Sequence, residues 1–276
     1  ARLKGRPLVG VINSLGVRRD AKVTDAIAKL LRSSDSNVAA AAAVTLGKIG
    51  TADAAAALRK AQAGARAKQL AVVRDAVLRC AEHLAAAGKA ADAEAIYRRL
   101  WQSNAGVSWR LAALTGLARA CPDKAAPLLV KAFGGADPLL QAAAANLLIQ
   151  TPGKAATTAI VEQLGRVDTR RRMLLFDSLA ARGDASAKDA VATFIDSKDE
   201  AVRVAAVHTV AALGDASDVA RLVSLAAGER GPVGQAARVG LERLSGEGIE
   251  KRLIDLAAKG DPATRVEAAR AIAARR

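Results

Sequence analysis

The residues of this chain best suited to bind a ligand are basic side chains concentrated in its N-terminal half. Residues 1–136 carry 22 Lys and Arg against 9 Asp and Glu, a net charge of +13, whereas residues 137–276 carry 20 against 18, a net charge of +2. The densest candidates for a binding surface are Arg59, Lys60, Arg66, Lys68, Arg74, Arg98 and Arg99. Such a surface would attract phosphate groups or acidic protein segments. The same charges would equally serve as a solvated coat on helices, and the sequence leaves both interpretations open.

Residue types that catalysis or metal binding requires are sparse. His83 and His208 are the only histidines, Cys80 and Cys121 are the only cysteines, and none of them belongs to a C-x-x-C or H-E-x-x-H motif. Glycine-rich phosphate loops and the G-x-S-x-G motif are missing as well. We therefore predict no metal site, no cofactor, no small-molecule substrate and no enzymatic activity.

Chain-breaking residues recur at nearly constant spacing and indicate the elements that position these side chains. They stand at Gly50, Gly88, Cys121-Pro122, Pro152-Gly153, Gly183, Gly214 and Gly246, and the last four steps are close to 31 residues. Between the breaks lie two amphipathic segments, as in residues 217–227, where Val219, Leu222, Val223 and Ala226 form one helical stripe. The sequence predicts an all-α solenoid of about eight stacked two-helix repeats, with a partial helix near residues 6–16 before them and an incomplete last pair.

Two columns of polar residues keep a fixed position in successive repeats. Fifteen residues before the breaks, or in the matching place of the final unit, stand Asp137, Asp168, Asp199 and Asp261. Eleven residues before the breaks, or in the matching place of the final unit, stand Arg110, Arg172, Arg203 and Arg265. The aspartates are placed to cap the following helix. The arginines either bridge to capping aspartates as a structural ladder or face a partner, and both roles stay open.

The pattern D-x-x-V-R-x-x-A over Asp199–Ala206, followed by L-G-D over Leu213–Asp215, resembles the HEAT repeat in its short bacterial, phycobilisome-lyase-like form. The resemblance covers nearly the whole chain, is clearest from Gly134 onward and is loosest between Thr51 and Gly106. It implies that the second helices of the repeats, such as 138–150, 169–181 and 200–212, line the concave side of a right-handed superhelix.

From these observations we expect residues 1–276 to form a single HEAT-like solenoid that is a piece of a larger protein, strongly basic with less regular repeats over 1–136 and regular 31-residue repeats over 137–276. The leading functional hypothesis is a non-catalytic scaffold that presents a concave helical surface to a protein partner or to another domain of the parent chain. The alternative is a nucleic-acid-binding module that uses the basic half for phosphate contacts.

A remote alternative comes from the HEAT-like DNA glycosylases, which are basic and use aromatic and acidic residues in their groove. Trp101, Trp109 and Asp92 would have to fill those roles, which requires both indole rings to be exposed in a cavity. No apolar run is long enough to span a membrane and no targeting signal is visible, so the sequence predicts a soluble chain in an unknown compartment.

Overall fold

The computed structural model describes residues 3–65 and 67–275, and all regular structure in these ranges is helical. In the first half of the chain the α-helices are α1 Gly5–Arg18, α2 Thr24–Leu30, α3 Ser36–Ile49, α4 Ala52–Gln62, α5 Ala67–Ala86, α6 Ala90–Gln102, α7 Val107–Ala120 and α8 Pro122–Phe133. In the second half they are α9 Pro138–Gln150, α10 Lys154–Val161, α11 Thr169–Arg182, α12 Lys188–Ala192, α13 Glu200–Leu213, α14 Val219–Gly228, α15 Pro232–Arg243, α16 Ile249–Lys259 and α17 Pro262–Ala274. The predicted all-α class is confirmed.

After α1 the described helices follow one another as eight pairs, the number that the spacing of the breaks predicts. The first helix of a pair is the even-numbered one, and the second helix is the odd-numbered one. The last pair contains both of its helices, and α17 is as long as α9 at 13 residues, so the expectation of an incomplete last pair is wrong. Second helices of successive pairs pack directly on each other, as α3 does on α1 and α5, and as α13 does on α11 and α15.

The chain divides into two compact units, residues 1–128 and 129–276, and the division falls within α8. In unit 1 the second helices α3, α5 and α7 pack in succession, and in unit 2 the second helices α9, α11, α13, α15 and α17 do so. Neither helix of a pair could bury its apolar face alone, because each pair is only two helices thick. The stacked arrangement within each unit supplies the missing neighbours.

Aspartate caps fix where the second helices begin. Carboxylates of Asp35, Asp137, Asp168, Asp199 and Asp261 each accept a hydrogen bond from one or two backbone N–H groups in the first turn of the helix that follows. These N–H groups have no partner within the helix, and the cap supplies one. At the other end, Gly50 and Gly183 adopt positive φ angles of 69° and 65°, a conformation that glycine adopts readily and that stops the helix.

Small residues let the second helices of unit 1 approach closely. A Cβ atom on Gly47 would lie 3.0 Å from the backbone of Ala76 on the next second helix, and a Cβ atom on Gly16 would lie 2.8 Å from the Thr45 hydroxyl. The core around these contacts is rich in alanine and leucine, and Ala42, Ala43 and Leu46 have no exposed surface. The alanine content of the sequence therefore serves helix packing as well as helix propensity.

Two arginines of unit 2 fasten the end of one second helix to the end of the preceding one. Arg182 donates to the backbone carbonyls of Leu148, Thr151 and Gly153, at 2.7 Å for Thr151 and 2.8 Å for Gly153. At the same repeat position, Arg275 donates to the carbonyls of Leu241 and Leu244, each at 2.7 Å. The last carbonyls of a helix lack intrahelical donors, so a guanidinium that reaches back 29 to 34 residues satisfies carbonyls at the helix end and just after it.

Candidate functional site

Unit 2 has a groove of about 700 Å³ on the exposed face of three consecutive second helices. Helix α13 forms its floor through Ala201, Val204, Ala205, His208 and Ala212, which follow one another at helical spacing along one face. Met173 of α11 and Val239 of α15 stand on the two walls. Because the floor side chains are small, another chain can approach the α13 backbone closely.

Three charged side chains stand at the edges of this groove. Asp177 lies on α11, Glu200 on the first turn of α13 and Arg243 at the end of α15. None of the three takes part in an ion pair among the described residues. The groove thus combines an apolar floor with acidic and basic groups that are available to a partner.

Half-buried and exposed apolar side chains continue along the second helices of unit 2. Met173, Val204 and Val266 occupy one repeat position at steps of 31 and 62 residues, and Val266 is 58% exposed. Leu139 on α9 and Leu174 on α11 are also large, apolar and exposed. The residue pattern alone did not lead us to predict this surface, although the 31-residue register places Met173, Val204 and Val266 in one column.

The basic residues predicted as a binding surface fall into distinct surroundings in unit 1. Arg59, Arg74 and Arg99 line one small cleft between α4, α5 and α6. Lys60 lines the neighbouring cleft, and Lys68 is exposed at the start of α5. Arg98 is paired with Glu94 on its own helix at 2.9 Å. Arg66 lies outside the described residues. The structure therefore brings three of the seven candidates into one site.

The arginine column of unit 2 contacts carbonyl groups. Through Nε, Arg172 donates to Leu164 at 2.6 Å, Arg203 to Ile195 at 2.9 Å and Arg265 to Ala257 at 3.2 Å. Each acceptor is a backbone oxygen eight residues earlier, at or near the end of the first helix of the same pair.

The predicted bridge from these arginines to the capping aspartates is not formed in the described residues. Asp168 pairs instead with Arg171, at 3.5 Å. The capping carboxylates already accept backbone N–H groups, whereas the carbonyls at a helix end lack donors and carry the negative end of the helix dipole. Arg203 reaches Glu229 of the following repeat, so the column links neighbouring pairs by a different contact.

Arg110 and the two tryptophans are arranged as packed cation–π pairs. The guanidinium of Arg110 lies 4.4 Å from the ring centre of Trp101, whose residue is only 6% exposed. Arg74 lies 5.3 Å from the ring centre of half-buried Trp109. The indole N–H of Trp109 donates to Asp75 at 2.7 Å, and Asp92 is not its partner. Because Trp101 is buried, the predicted groove with both rings exposed does not form.

Of the cysteine and histidine side chains, His208 alone lines the groove of unit 2, and none lines the cleft that contains Arg59, Arg74 and Arg99. Cys80 is buried, and burial raises the pKa of its thiol to about 12. Cys121 is half-buried, and burial raises its pKa as well. His83 is half-buried beside Gly50, and its pKa is lowered first by burial and then by Arg19. Within residues 3–65 and 67–275, no three His, Cys, Asp or Glu side chains are grouped to hold a metal ion.

Hydropathy separates these helices from membrane segments. None of the helices in the described part of the chain combines the length and the apolar character that a membrane span needs.

Comparison with known proteins gives one family match. The model of HEAT repeats matches residues 9–82. No curated protein sequence matches the chain significantly. The segment that matches includes part of Thr51–Gly106, where the sequence pattern predicted the loosest resemblance, so the fit of the repeat is not confined to the regular region after Gly134.

Three solved structures illustrate the structural neighbours of the chain. An engineered protein is 21% identical, with 98% of this chain and 83% of that one covered and a TM-score of 0.41. The YibA protein of Escherichia coli is 15% identical, with 100% and 98% covered and a TM-score of 0.38. The karyopherin Kap121p, solved with the extreme C-terminus of the phosphatase Cdc14p, is 13% identical, with 97% and 36% covered and a TM-score of 0.39.

Three observations agree with one another. The helices form repeated capped pairs, the second helices pack in succession, and residues 9–82 match the family model. Residues 9–82 are therefore similar to HEAT repeats, and the described helices after them follow the same two-helix pattern.

Proposed function

We propose that this chain is an interaction scaffold and that the groove of unit 2 holds an amphipathic helical segment of a protein partner or of another domain of the parent chain. The observation that carries the proposal is the groove itself, with three alanines and Val204 beside His208 on the α13 floor and unpaired charges at its edges. A helix with its side chains is about 10 to 12 Å across and binds such grooves through apolar residues at positions i, i+3, i+4 and i+7.

The charges at the groove edges specify the chemistry of the partner. Asp177 and Glu200 would pair with Lys or Arg of the bound segment, and Arg243 would pair with an acidic residue. Edge charges of this kind act mainly on specificity and on association rate, whereas burial of apolar side chains on the α13 floor supplies most of the affinity. The best ligand is therefore an amphipathic helix with a basic residue beside its apolar stripe.

Selection from a library of displayed helical peptides against the whole chain tests the proposal. We expect the selected peptides to share an apolar stripe at helical spacing and a basic residue, with dissociation constants in the micromolar range or tighter. The groove variant is Ala201→Arg, which places a bulky charge on the exposed floor residue Ala201. It should weaken binding at least about tenfold, because an unpaired charge would be buried under the peptide.

The matched control is Ala258→Arg, which adds the same charge to an exposed alanine of the first helix α16. It should leave peptide affinity unchanged. Selected peptides that bind Ala201→Arg as tightly as the unmodified chain would place the docking surface elsewhere and contradict the proposal.

A further inference from the structure

Three arginines converge on one cleft of unit 1. Arg59 of α4, Arg74 of α5 and Arg99 of α6 line a space of about 60 Å³ together with Gln62 and the Ser103 side chain. None of the residues that line it is acidic. Three helices that belong to two consecutive pairs thus direct positive charge at a single small space.

The positive charge of this cleft is not balanced within the described part of the protein. Arg59, Arg74 and Arg99 are absent from its ion pairs, although Arg98, the neighbour of Arg99, is paired with Glu94. Like charges held close together repel each other, and a bound anion removes that cost. Arg98 shows that an arginine on α6 can form an ion pair with a carboxylate of the protein. Because Arg59, Arg74 and Arg99 form no such pair, their cleft is a candidate anion site.

One of the three arginines is held in place by aromatic stacking. The Arg74 guanidinium lies 5.3 Å from the ring centre of Trp109. The Trp109 ring is in turn fixed by the hydrogen bond from its N–H to Asp75, at 2.7 Å. A guanidinium that is already ordered loses less conformational entropy when it binds an anion. The cleft is therefore partly preorganised.

A second basic cleft lies beside the first. Arg32 and Lys60 line it, with the amide side chain of Gln69, in a space of about 400 Å³ between α2, α4 and α5. Lys60 follows Arg59 on the same helix, so the two clefts adjoin at the end of α4. Five basic side chains thus follow two adjacent steps of the repeat, an arrangement that fits a ligand with several charges along its length.

We propose that this edge of unit 1 binds the phosphodiester backbone of a nucleic acid, with one phosphate seated among Arg59, Arg74 and Arg99 and a neighbouring phosphate near Arg32 and Lys60. A planar carboxylate presents two oxygens and is satisfied by one guanidinium, whereas a tetrahedral phosphate group spreads its charge over oxygens that several guanidinium groups can reach. The Trp109 ring near the cleft stacks on Arg74 and is not available to stack on a base, so we expect binding that is independent of sequence.

This inference concerns unit 1 and does not rest on the proposed function of the groove in unit 2. Fluorescence anisotropy of a labelled 20-nucleotide single-stranded DNA, titrated with the whole chain at several salt concentrations, tests it. The cleft variant replaces Arg59, Arg74 and Arg99 by Gln. The control variant removes the same charge by replacing Arg18, Arg79 and Arg119, which are exposed and line neither cleft, by Gln.

We expect the cleft variant to bind the DNA at least about tenfold more weakly near 0.1 M salt and to lower the slope of log affinity against log salt by about 0.7, the contribution of one phosphate contact in a single strand. The control variant should lose less than about threefold, through the general field alone. A double variant, Arg59→Gln with Arg99→Gln, keeps the Arg74 stack on Trp109 and should show most of the loss if the triple variant folds poorly.

Three results would overturn the inference. They are absence of DNA binding by the unmodified chain at 0.05 M salt, equal loss in the cleft and control variants, and displacement of the DNA by polyglutamate at the same charge concentration as by a second DNA strand. The last result would assign the cleft to acidic peptides instead.

Discussion

Hydrogen bonds from the same and the preceding repeat depress the pKa values of two aspartates in unit 2. The Thr157 hydroxyl at 2.7 Å, followed by Ser186, holds the pKa of Asp184 at about 2. Bonds from Ser217, followed by the ammonium group of Lys188, hold the pKa of Asp215 at about 2. Thr157 and Lys188 lie on the repeat before their partner aspartates, so the ionised carboxylates connect successive pairs.

The loss of folding stability at low pH should depend on these two carboxylates. Their pKa is lower in the folded chain than the value of about 4 expected when unfolded, so their contribution is complete above about pH 4 and is lost as the pH falls through about 2. We expect the variant Asp184→Asn with Asp215→Asn to lose stability less steeply than the unmodified chain over that range. Urea denaturation followed by circular dichroism between pH 2 and pH 6 measures it, and equal slopes for the two chains would contradict the assignment.

Residue-level features differ in how far the sequence could predict them. The capping aspartates were predictable because an acidic residue before an apolar stripe has one favourable use at a helix start. The partners of Arg172, Arg182 and Arg203 were not, since a guanidinium can reach either a carboxylate or a helix-end carbonyl, and only packed helices decide which is near. The clustering of Arg59, Arg74 and Arg99 needed the same three-dimensional information, because these residues are 15 and 25 positions apart.

At the scale of the helices, close packing depends on glycine at particular positions. A Cβ atom on Gly116 of α7 would lie 2.4 Å from the ring of Tyr97 on α6, the first helix of the same pair. Tyr97 is buried and only 2% exposed, so its ring has little room to move. The pair α6–α7 therefore requires Gly116 for its spacing, although glycine costs about 1 kcal/mol of helix propensity relative to alanine.

Replacing two helical glycines by alanine separates packing from propensity. Gly116→Ala should destabilise the chain by about 1 to 3 kcal/mol, because overpacking against Tyr97 outweighs the gain in propensity. Gly10→Ala, in α1, meets no atom within 4 Å and should stabilise the chain by up to about 1 kcal/mol. Chemical denaturation of both variants checks the signs. Two stabilising substitutions would show that the α6–α7 contact is looser than the structure indicates.

The positions of the helices could be predicted from the spacing of breaks and caps in the sequence. In the pair α12–α13, for example, Asp199 precedes the second helix and Gly214 follows it. Surface properties did not follow. Val202 and Val204 lie about 200° apart around α13 and so belong to different faces, of which the first is buried and the second, half-buried, lines the groove. The 31-residue register could therefore place Met173, Val204 and Val266 in one column, but the groove itself depends on how α11 and α15 are placed beside α13.

At the scale of the molecule, each unit is a stack in which a helix pair is stabilised mainly by its neighbours. Helix α13 is flanked by α11 and α15 and buries seven residues, among them Val202, Val207 and Val210. Helix α17 packs against α14, α15 and α16 and buries three residues, Glu267, Ala268 and Ala271. Local stability within unit 2 should therefore fall from α13 towards α17.

Hydrogen exchange followed by mass spectrometry tests this gradient. After correction for intrinsic rates, backbone amides of α17 should exchange at least about tenfold faster than those of α13, because fewer buried contacts must break for α17 to open. The buried carboxylate of Glu267 on α17 accepts two hydrogen bonds from Arg238 on α15, each at 3.0 Å, and so links the two helices. Glu267→Ala should accelerate exchange in α17 further, since it leaves Arg238 without that partner, while α11 should be unaffected because its pair lies three steps from the pair of α17 in the stack. Equal protection of α13 and α17 in the unmodified chain, or faster exchange in α11 of the variant, would show that unit 2 opens as one cooperative body rather than pair by pair.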